Sequence, residues 1–98
     1  MTVYLVAELK FTDRAAYDRY QARFLDVFKR FNGRLLAADE HPQVLEGDWP
    51  RQKFVMMSFP DEAECRRFAD DLEYQAISKD RKAGTDAVVL LVQGFGSR

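Results

Sequence analysis

"TVYLVAELKFTDRAAYDRYQARFLDVFKRFNG", residues 2–33, is the stretch that decides the fold. Its first eight residues are rich in β-forming side chains and are bounded by polar ones, so they predict a strand. Aromatic residues then recur at steps of three and four, at Tyr17, Tyr20, Phe24, Phe28 and Phe31. This spacing puts the rings on one face and predicts an amphipathic helix. A strand followed by a helix indicates a layered domain.

The ends of this helix have their own signals. Thr12 or Asp13 can cap its start, because either side chain accepts a hydrogen bond from an orphan N–H of the first turn. Asn32-Gly33 is typical of a helix end, where a residue adopts a left-handed backbone. The helix is therefore expected to run from about residue 13 to Asn32-Gly33.

Two further strands are predicted in the middle of the chain. "RLLAAD", residues 34–39, forms one strand, which is broken near His41-Pro42 and is expected to resume at "QVLEG", residues 43–47. "KFVMMSF", residues 53–59, forms the next strand and is apolar on both faces. Both runs are β-rich and bounded by turn-forming residues.

"PDEAE", residues 60–64, begins a second helix, with Asp61 as cap and Glu64 placed to complete a capping box. "EYQAISKDRKAG", residues 73–84, is a further helical stretch, and "DAVVLLVQG", residues 86–94, is the last strand. The order is βαββαβ with the second helix in two pieces. It indicates an α+β, ferredoxin-like sandwich in which an antiparallel sheet carries helices on one side.

The strands are apolar on both faces, which bears on assembly. In the first strand Val3, Leu5 and Leu9 share one face, while Tyr4 and Val6 lie on the other. The helices can cover only one face of the sheet, and a large exposed apolar patch marks an interface. Burying even ~500 Å² of it contributes on the order of 12 kcal/mol before association costs. We therefore predict a homodimer joined through the open faces of two sheets, a dimeric α/β barrel.

Length, charge and cysteine content narrow the class of protein. The 98 residues predict one domain over 1–98. The net charge of -1, with both signs interspersed, argues against nucleic acid and against an anionic membrane surface. The start lacks the features of a signal peptide, and no apolar run approaches the ~20 residues of a membrane span. Cys65 is the only cysteine, so no internal disulfide is expected and the location is predicted to be cytoplasmic.

Several segments together resemble a known family. They are "YDRYQARF", "GRLLAA", "VLEGDWP", "SFPDEAE", "EYQAISKDR" and "VVLLVQG", and they cover nearly the whole chain. The chain resembles the domain of unknown function 1330 (DUF1330) family, within the dimeric α/β-barrel superfamily. It departs from the family at "DLEYQ", where a serine usually stands near the start of the later helix. The resemblance implies the fold and a dimer but no reaction, since the superfamily includes cofactor-independent monooxygenases, isomerases, lyases and haem-degrading proteins.

"EGDWP", residues 46–50, is the first candidate site. Gly47 and Asp48 suit a turn, Pro50 cannot pair in a ladder, and Trp49 can anchor the connection over the sheet edge. Glu46 differs because it interrupts a predicted strand, where a buried carboxylate needs a partner. Either it forms a salt bridge, to Arg81 or Arg51, or burial raises its pKa and it exchanges a proton with a ligand.

Tyr74, Ser78 and Arg81 share a helical face and form the second candidate. Either this face binds an anionic or carbonyl-bearing ligand, or Tyr74 only docks the helix and Arg81 forms an ion pair. His41 is an exposed turn residue or a general base at the mouth of the barrel. Cys65 is expected to pack as a small apolar side chain.

The sequence thus predicts a pocket between the sheet and its own helices or at the dimer seam. Glu46, Tyr74 and Arg81 are its predicted polar residues, with His41 and Trp49 at the rim. Tyr4 and Met56 are either further ligand contacts or plain core or interface residues. No metal site is expected, because one His and one Cys cannot build one, and "GFG" near the end has no helix to make a dinucleotide fingerprint.

The predicted function is a small-molecule-binding protein or an enzyme that uses no cofactor. In the enzyme hypothesis Glu46 is the acid or base and Arg81 holds an anionic group. The alternatives are a non-catalytic metabolite-binding module and a purely structural homodimer. An absent cavity would favour the structural dimer.

Overall fold

A computed structural model describes residues 1–97 of the chain. Its elements are β1 (Val3–Phe11), α1 (Arg14–Phe28), β2 (Arg34–Asp39), β3 (Lys53–Phe59), α2 (Glu62–Ala69), α3 (Leu72–Gly84), β4 (Thr85–Gln93) and a short 3-10 helix (Phe95–Ser97). The predicted βαββαβ order is confirmed, including the second helix in two pieces. None of the α-helices in residues 1–97 is long and apolar enough to cross a membrane.

The four strands form one antiparallel sheet in the order β2-β3-β1-β4. The register pairs Leu5 with Met57 on one side and with Leu91 on the other, so these three side chains share the face under the helices. A bulge interrupts β2 between Leu35 and Ala37. The predicted ferredoxin-like fold is confirmed.

The predicted strand at residues 43–47 is wrong. Residues 40–52 form neither helix nor strand, and β3 begins only at Lys53. Pro42 and Pro50 have no N–H to donate to a ladder, and Gly47 has a positive φ of 81° that bends the chain. The backbone chemistry of this segment therefore outweighs its short apolar run.

The end of α1 also differs from the prediction. The helix ends at Phe28, and Gly33 does not adopt the left-handed backbone that was expected of it. A side chain at position 33 would lie 2.7 Å from carbons of the Phe28 ring and 2.8 Å from the Phe59 ring. Glycine is needed here for close packing against the rings, and not for backbone freedom.

Aspartates cap all three α-helices. Asp13 accepts from the N–H of Ala16 at 3.4 Å, and Asp61 accepts from that of Glu64 at 2.8 Å. Glu64 does not complete the capping box, because its carboxylate accepts from the N–H of Asn32 at 2.9 Å. Hydrogen bonds from Arg67 and Asn32 lower the pKa of Glu64 to about 2. Glu64 thereby ties the start of α2 to the loop after α1.

The core is built around Phe68 of α2, whose exposed fraction is 0%. Its ring packs against five others at centroid distances of 4.2 to 6.2 Å, those of Phe24, Phe28, Phe31, Phe59 and Tyr74. Three of these rings belong to the predicted aromatic stripe of the first helical segment. The stripe therefore packs against α2 and α3 as well as against the sheet.

No helix of residues 1–97 covers the second, open face of the sheet. Val88, Leu90 and Val92 of β4 alternate along it and are exposed. Leu90 lies opposite Val6 of β1, and Val6 lies opposite Met56 of β3, so apolar side chains cross three strands in one row. The protomer therefore has the uncovered apolar face of the sheet that the sequence pattern predicted.

The backbone oxygen of Gly84, the last residue of α3, accepts hydrogen bonds from the N–H groups of Thr12 and Asp13 before α1. Replacing Gly84 by alanine is expected to destabilise the fold. A Cβ there would lie 2.5 Å from the backbone oxygen of Asp13 and 2.7 Å from the backbone nitrogen of Tyr17. We expect Gly84→Ala to lower the free energy of unfolding by about 1–3 kcal/mol, as measured by urea denaturation. The control is Gly96→Ala, where nothing lies within 4 Å of the added carbon. Equal stability of the two variants would contradict this interpretation.

Candidate functional site

A partly open cavity of about 210 Å³ lies between the helices and the sheet. Its floor is mostly aliphatic and takes side chains from all four strands, among them Leu5, Leu35, Val55 and Val89. Its roof is mostly aromatic and comes from α1 and α3, which contribute Tyr17, Tyr20, Phe24 and Tyr74. Ala7 and Ala38 stand on the floor, where small side chains leave space beneath the rings. The helices and the sheet thus leave a mostly apolar cavity between them instead of packing in full contact.

Two tyrosine hydroxyls form the polar pair of this cavity. The Oη atoms of Tyr20 on α1 and Tyr74 on α3 are 3.1 Å apart and share a hydrogen bond. Burial, reinforced by the neighbouring Tyr74, raises the pKa of Tyr20 well above its usual range. Tyr20 therefore stays protonated, and the pair offers one further hydrogen bond to a ligand.

Arg81 is the cation on the α3 side of the cavity. Its guanidinium carbon lies 5.9 Å from the centroid of the Tyr20 ring. Its Nε is buried and has no hydrogen-bond partner among the described residues. No carboxylate of residues 1–97 lies within ion-pair distance of it. The alternative in which Arg81 serves only in an ion pair therefore finds no partner in the described chain.

Lys53 is the second cation of the cavity, and sequence reasoning missed it. It begins β3 on the face under the helices, where Val55, Met57 and Phe59 follow at every second position. Its Nζ lies 4.9 Å from the centroid of the Tyr17 ring and 3.7 Å from a carboxylate oxygen of Glu40. A lysine in register with the buried positions of a core strand was the signal that could have revealed it.

Glu40 lies behind Lys53 and is held mainly by Arg14. The guanidinium donates to both carboxylate oxygens, at 3.0 and 2.8 Å. This pairing, with a smaller effect of Lys53, lowers the pKa of Glu40. Glu40 does not line the cavity, and neither does any other carboxylate among the described residues, whereas two cations do. The cavity is therefore suited to a negatively charged molecule.

The structure brings two of the predicted site residues together. Tyr74 and Arg81 both line the cavity. Ser78, on the same helical face, is buried but is not part of the lining, and its Oγ has no hydrogen-bond partner in the part of the chain described.

Glu46 does not lie where the sequence placed it. It is exposed in the connection between β2 and β3 instead of being buried in a strand, and it is not part of the cavity lining. The two salt bridges considered for it do not form within residues 1–97, since Arg51 pairs with Asp86 at 3.3 Å and Arg81 pairs with no carboxylate. Its proposed role in proton transfer stays a prediction without support from the protomer.

The other predicted contacts lie outside the cavity as well. Trp49 and His41 line a separate groove that shares no lining residue with the cavity, and the indole N–H of Trp49 donates to Glu8 at 2.7 Å. His41 is an exposed turn residue whose backbone N–H donates to Asp39 at 2.8 Å. Tyr4 and Met56 are on the open face of the sheet, because their neighbours in the strands point under the helices. Because successive side chains of a strand point to opposite faces of the sheet, Tyr4 and Met56 point away from the cavity that their neighbours Leu5 and Val55 line.

Cys65 packs as predicted. It is buried in the core, and burial raises the pKa of its thiol. A buried, protonated thiol is a poor nucleophile. No group of three or more metal-ligating side chains is placed to hold a metal ion within residues 1–97. The cytoplasmic location inferred from the single cysteine stays a prediction.

Solved structures share this fold at low sequence identity. A protein of unknown function from Rhodopseudomonas palustris has a TM-score of 0.80 and 17% identity, over 96% of this chain and 82% of that one. SnoaB of Streptomyces nogalater, a cofactor-independent oxygenase, has a TM-score of 0.69 and 16% identity, over 95% and 92%. A dimeric ferredoxin-like protein of unknown function from Jannaschia sp. CCS1 has a TM-score of 0.73 and 12% identity, over 96% and 100%. At these identities the similarity shows the fold alone.

Sequence comparison is informative at the level of the family. No curated protein matches the chain significantly. The family model of DUF1330, a domain of unknown function, matches residues 2–95. With nearly the whole length matched, the family predicted from "VLEGDWP" and the other segments is confirmed. The chain belongs to the DUF1330 family.

Proposed function

We propose that the chain binds a small organic anion with an apolar ring system in the cavity under α1 and α3. The observation that carries this proposal is Arg81, a guanidinium without a carboxylate partner in the described chain, which lines a cavity whose other walls are mostly apolar. A cation beside apolar walls is stabilised by a charge-assisted hydrogen bond to a ligand carboxylate or enolate. A neutral apolar ligand would leave this group unpaired.

The size and shape of the cavity support a ligand of one or two rings. An apolar cavity of about 150 Å³ is known to hold benzene. The space of about 210 Å³ here is larger and lies between an aliphatic floor and an aromatic roof. A substituted ring or two fused rings would contact both layers. Tyr20 and Tyr74 would then hydrogen-bond a carbonyl or hydroxyl oxygen of the ligand.

Catalysis without a cofactor is the second candidate function. The Tyr20–Tyr74 pair and Arg81 can stabilise an enolate or phenolate, which is the electron-rich form of an acidic ligand. The fold is shared with SnoaB, a cofactor-independent oxygenase. In this case Tyr74→Phe would slow turnover, measured as dioxygen uptake with the tightest ligand found, more than it weakens binding. Binding without any turnover would favour the non-catalytic module.

We also propose that the chain forms a homodimer through the open faces of two sheets. The exposed row of apolar residues on β4 supports this, and so does the dimeric state of the structurally similar Jannaschia protein. A purely structural dimer is the weaker alternative, because the absence of a cavity would have favoured that hypothesis and a cavity is present.

Arg81→Met is expected to weaken the binding of aryl carboxylates about 10- to 100-fold, because a hydrogen bond to a charged group contributes about 1.5–3 kcal/mol. The measurement is isothermal titration with 2-naphthoate, together with the rise in melting temperature at saturation. Arg66→Met, at an exposed position on α2, is the matched control and should bind like the wild type.

Two outcomes would contradict this proposal. One is an Arg81→Met variant that binds like the wild type, and the other is a wild-type chain that binds no aryl carboxylate. Glu46→Gln distinguishes the predictions made from the sequence from those made from the cavity. The cavity geometry predicts that binding and any turnover are both unchanged, whereas the acid–base hypothesis predicts that turnover is lost.

A further inference from the structure

We infer that the ligand carries a second acidic group and that Lys53 binds it. The substrate class is then a ring compound with two separate anionic groups, and not a simple monocarboxylate. This inference rests on the proposed function and extends it from one anchor to two.

Lys53 is an unusual residue for its position. Its side chain is only 6% exposed, and it occupies an inward-facing position of a core strand that otherwise carries Val55, Met57 and Phe59. A buried ammonium group is costly unless it is paired and hydrogen-bonded. Its Nζ nevertheless donates no hydrogen bond of 3.5 Å or shorter to any described residue. An apolar residue would satisfy packing better, so the lysine points to a ligand.

Glu40 forms an ion pair with Lys53 but does not accept a hydrogen bond from it. The carboxylate oxygen nearest to Lys53 is 3.7 Å away, beyond hydrogen-bond distance. The same oxygen accepts from Arg14 at 2.8 Å, and the other oxygen accepts from Arg14 at 3.0 Å. Arg14 also contacts Asp18 at 2.9 Å, so the two cations and two carboxylates of this cluster balance in charge, but none of its oxygens lies within hydrogen-bond distance of the Lys53 Nζ. The donors of Lys53 therefore remain available on the cavity side.

Lys53 and Arg81 approach the cavity from different layers. Lys53 belongs to the sheet, and its Nζ lies 4.9 Å from the centroid of the Tyr17 ring. Arg81 belongs to α3, and its guanidinium carbon lies 5.9 Å from the centroid of the Tyr20 ring. The two rings are neighbours, with centroids 5.7 Å apart. A ligand that lies beneath both rings therefore meets one cation beside each ring, Lys53 beside Tyr17 and Arg81 beside Tyr20. The geometry points to two acidic groups at different positions on one ring system.

The test is to titrate the wild type with pairs of mono- and dicarboxylates of different spacing: benzoate with isophthalate and terephthalate, and 2-naphthoate with naphthalene-2,6-dicarboxylate. We expect at least one dicarboxylate to bind about tenfold or more tightly than its monoacid, because the second carboxylate forms a charge-assisted hydrogen bond with Lys53. Lys53→Met should abolish this preference. Lys79→Met, at an exposed position on α3, should keep it.

A second variant tests the role of the charge without removing Lys53. Glu40→Gln removes the carboxylate that competes for Lys53, so the preference for the dicarboxylate should rise severalfold. The melting temperature of Lys53→Met should not fall, because the substitution removes a buried, poorly paired charge.

The outcomes separate the two proposals. If monocarboxylates bind in an Arg81-dependent manner but no dicarboxylate gains affinity, or if the gain survives in Lys53→Met, the role of Lys53 is overturned and the anion site remains. A lower preference in Glu40→Gln would also overturn it. If no acid of the series binds, both proposals fail together.

Discussion

Leu90→Asp is expected to convert the proposed dimer into a monomer. Leu90 is 45% exposed on the open face of the sheet, in the middle of the row formed with Val6 and Met56. In a dimer with twofold symmetry one substitution puts two carboxylates into the interface. An uncompensated buried charge costs about 3–5 kcal/mol, so the dissociation constant should rise by a factor of about a thousand or more.

Light scattering coupled to size-exclusion chromatography measures this change directly. Leu72→Asp is the matched control, because the same substitution is made at a leucine that is 86% exposed at the start of α3. An aspartate there is favourable near a helix N-terminus, and the variant should remain dimeric. A dimeric Leu90→Asp variant, or a wild type that is monomeric at micromolar concentration, would refute the assembly proposed here.

Phe68→Ala is expected to have the largest effect on folding. The residue is fully buried and contacts rings from α1, β3, α3 and the loop after α1, so its removal leaves a cavity at the junction of all layers. Such substitutions lower the free energy of unfolding by about 3–5 kcal/mol. This is a large part of the about 5–15 kcal/mol by which domains are stable.

Urea denaturation at a fixed protein concentration measures this loss, since the proposed dimerisation would make the apparent stability concentration-dependent. Phe68→Leu provides the graded control, because it keeps most of the volume and should cost less than about 1.5 kcal/mol. If Phe68→Ala and Phe68→Leu were equally stable, the ring cluster would not be the centre of the core.

Much of the fold could be predicted because its signals are local. The aromatic steps in the first helical segment, the aspartate caps at Asp13 and Asp61, and the β-rich runs at both ends of the chain depend only on neighbouring residues. The apolar face without helices followed from the lack of apolar–polar alternation along the strands. These features agree with one another, which is why the topology predicted from them was confirmed.

The errors arose where long-range contacts decide the local structure. Gly33 resembles a helix terminator, yet its neighbours in space, Phe28 and Phe59, are what require a glycine. Glu64 had the spacing of a capping box, but its carboxylate binds the N–H of Asn32 on another element. Neither partner can be identified from spacing along the chain.

The candidate site was predicted only in part. Tyr74 and Arg81 were found because helical spacing places both on one face, and the structure puts that face over the cavity. Glu46 was placed in a strand because of Val44 and Leu45, whereas the prolines and Gly47 keep this segment irregular. Lys53 was overlooked although its register with Val55 and Met57 was visible.

The sequence by itself determined the order of the elements, the apolar faces of the sheet and the family, because periodicity and short motifs are properties of the chain alone. Only the tertiary structure decided that a space remains between the helices and the sheet, and that Arg81 and Lys53 face it from opposite layers. The physical reason is that the register of a strand or helix defines which face a side chain occupies. It does not define how far apart two packed layers stand, or which charges from distant elements meet between them.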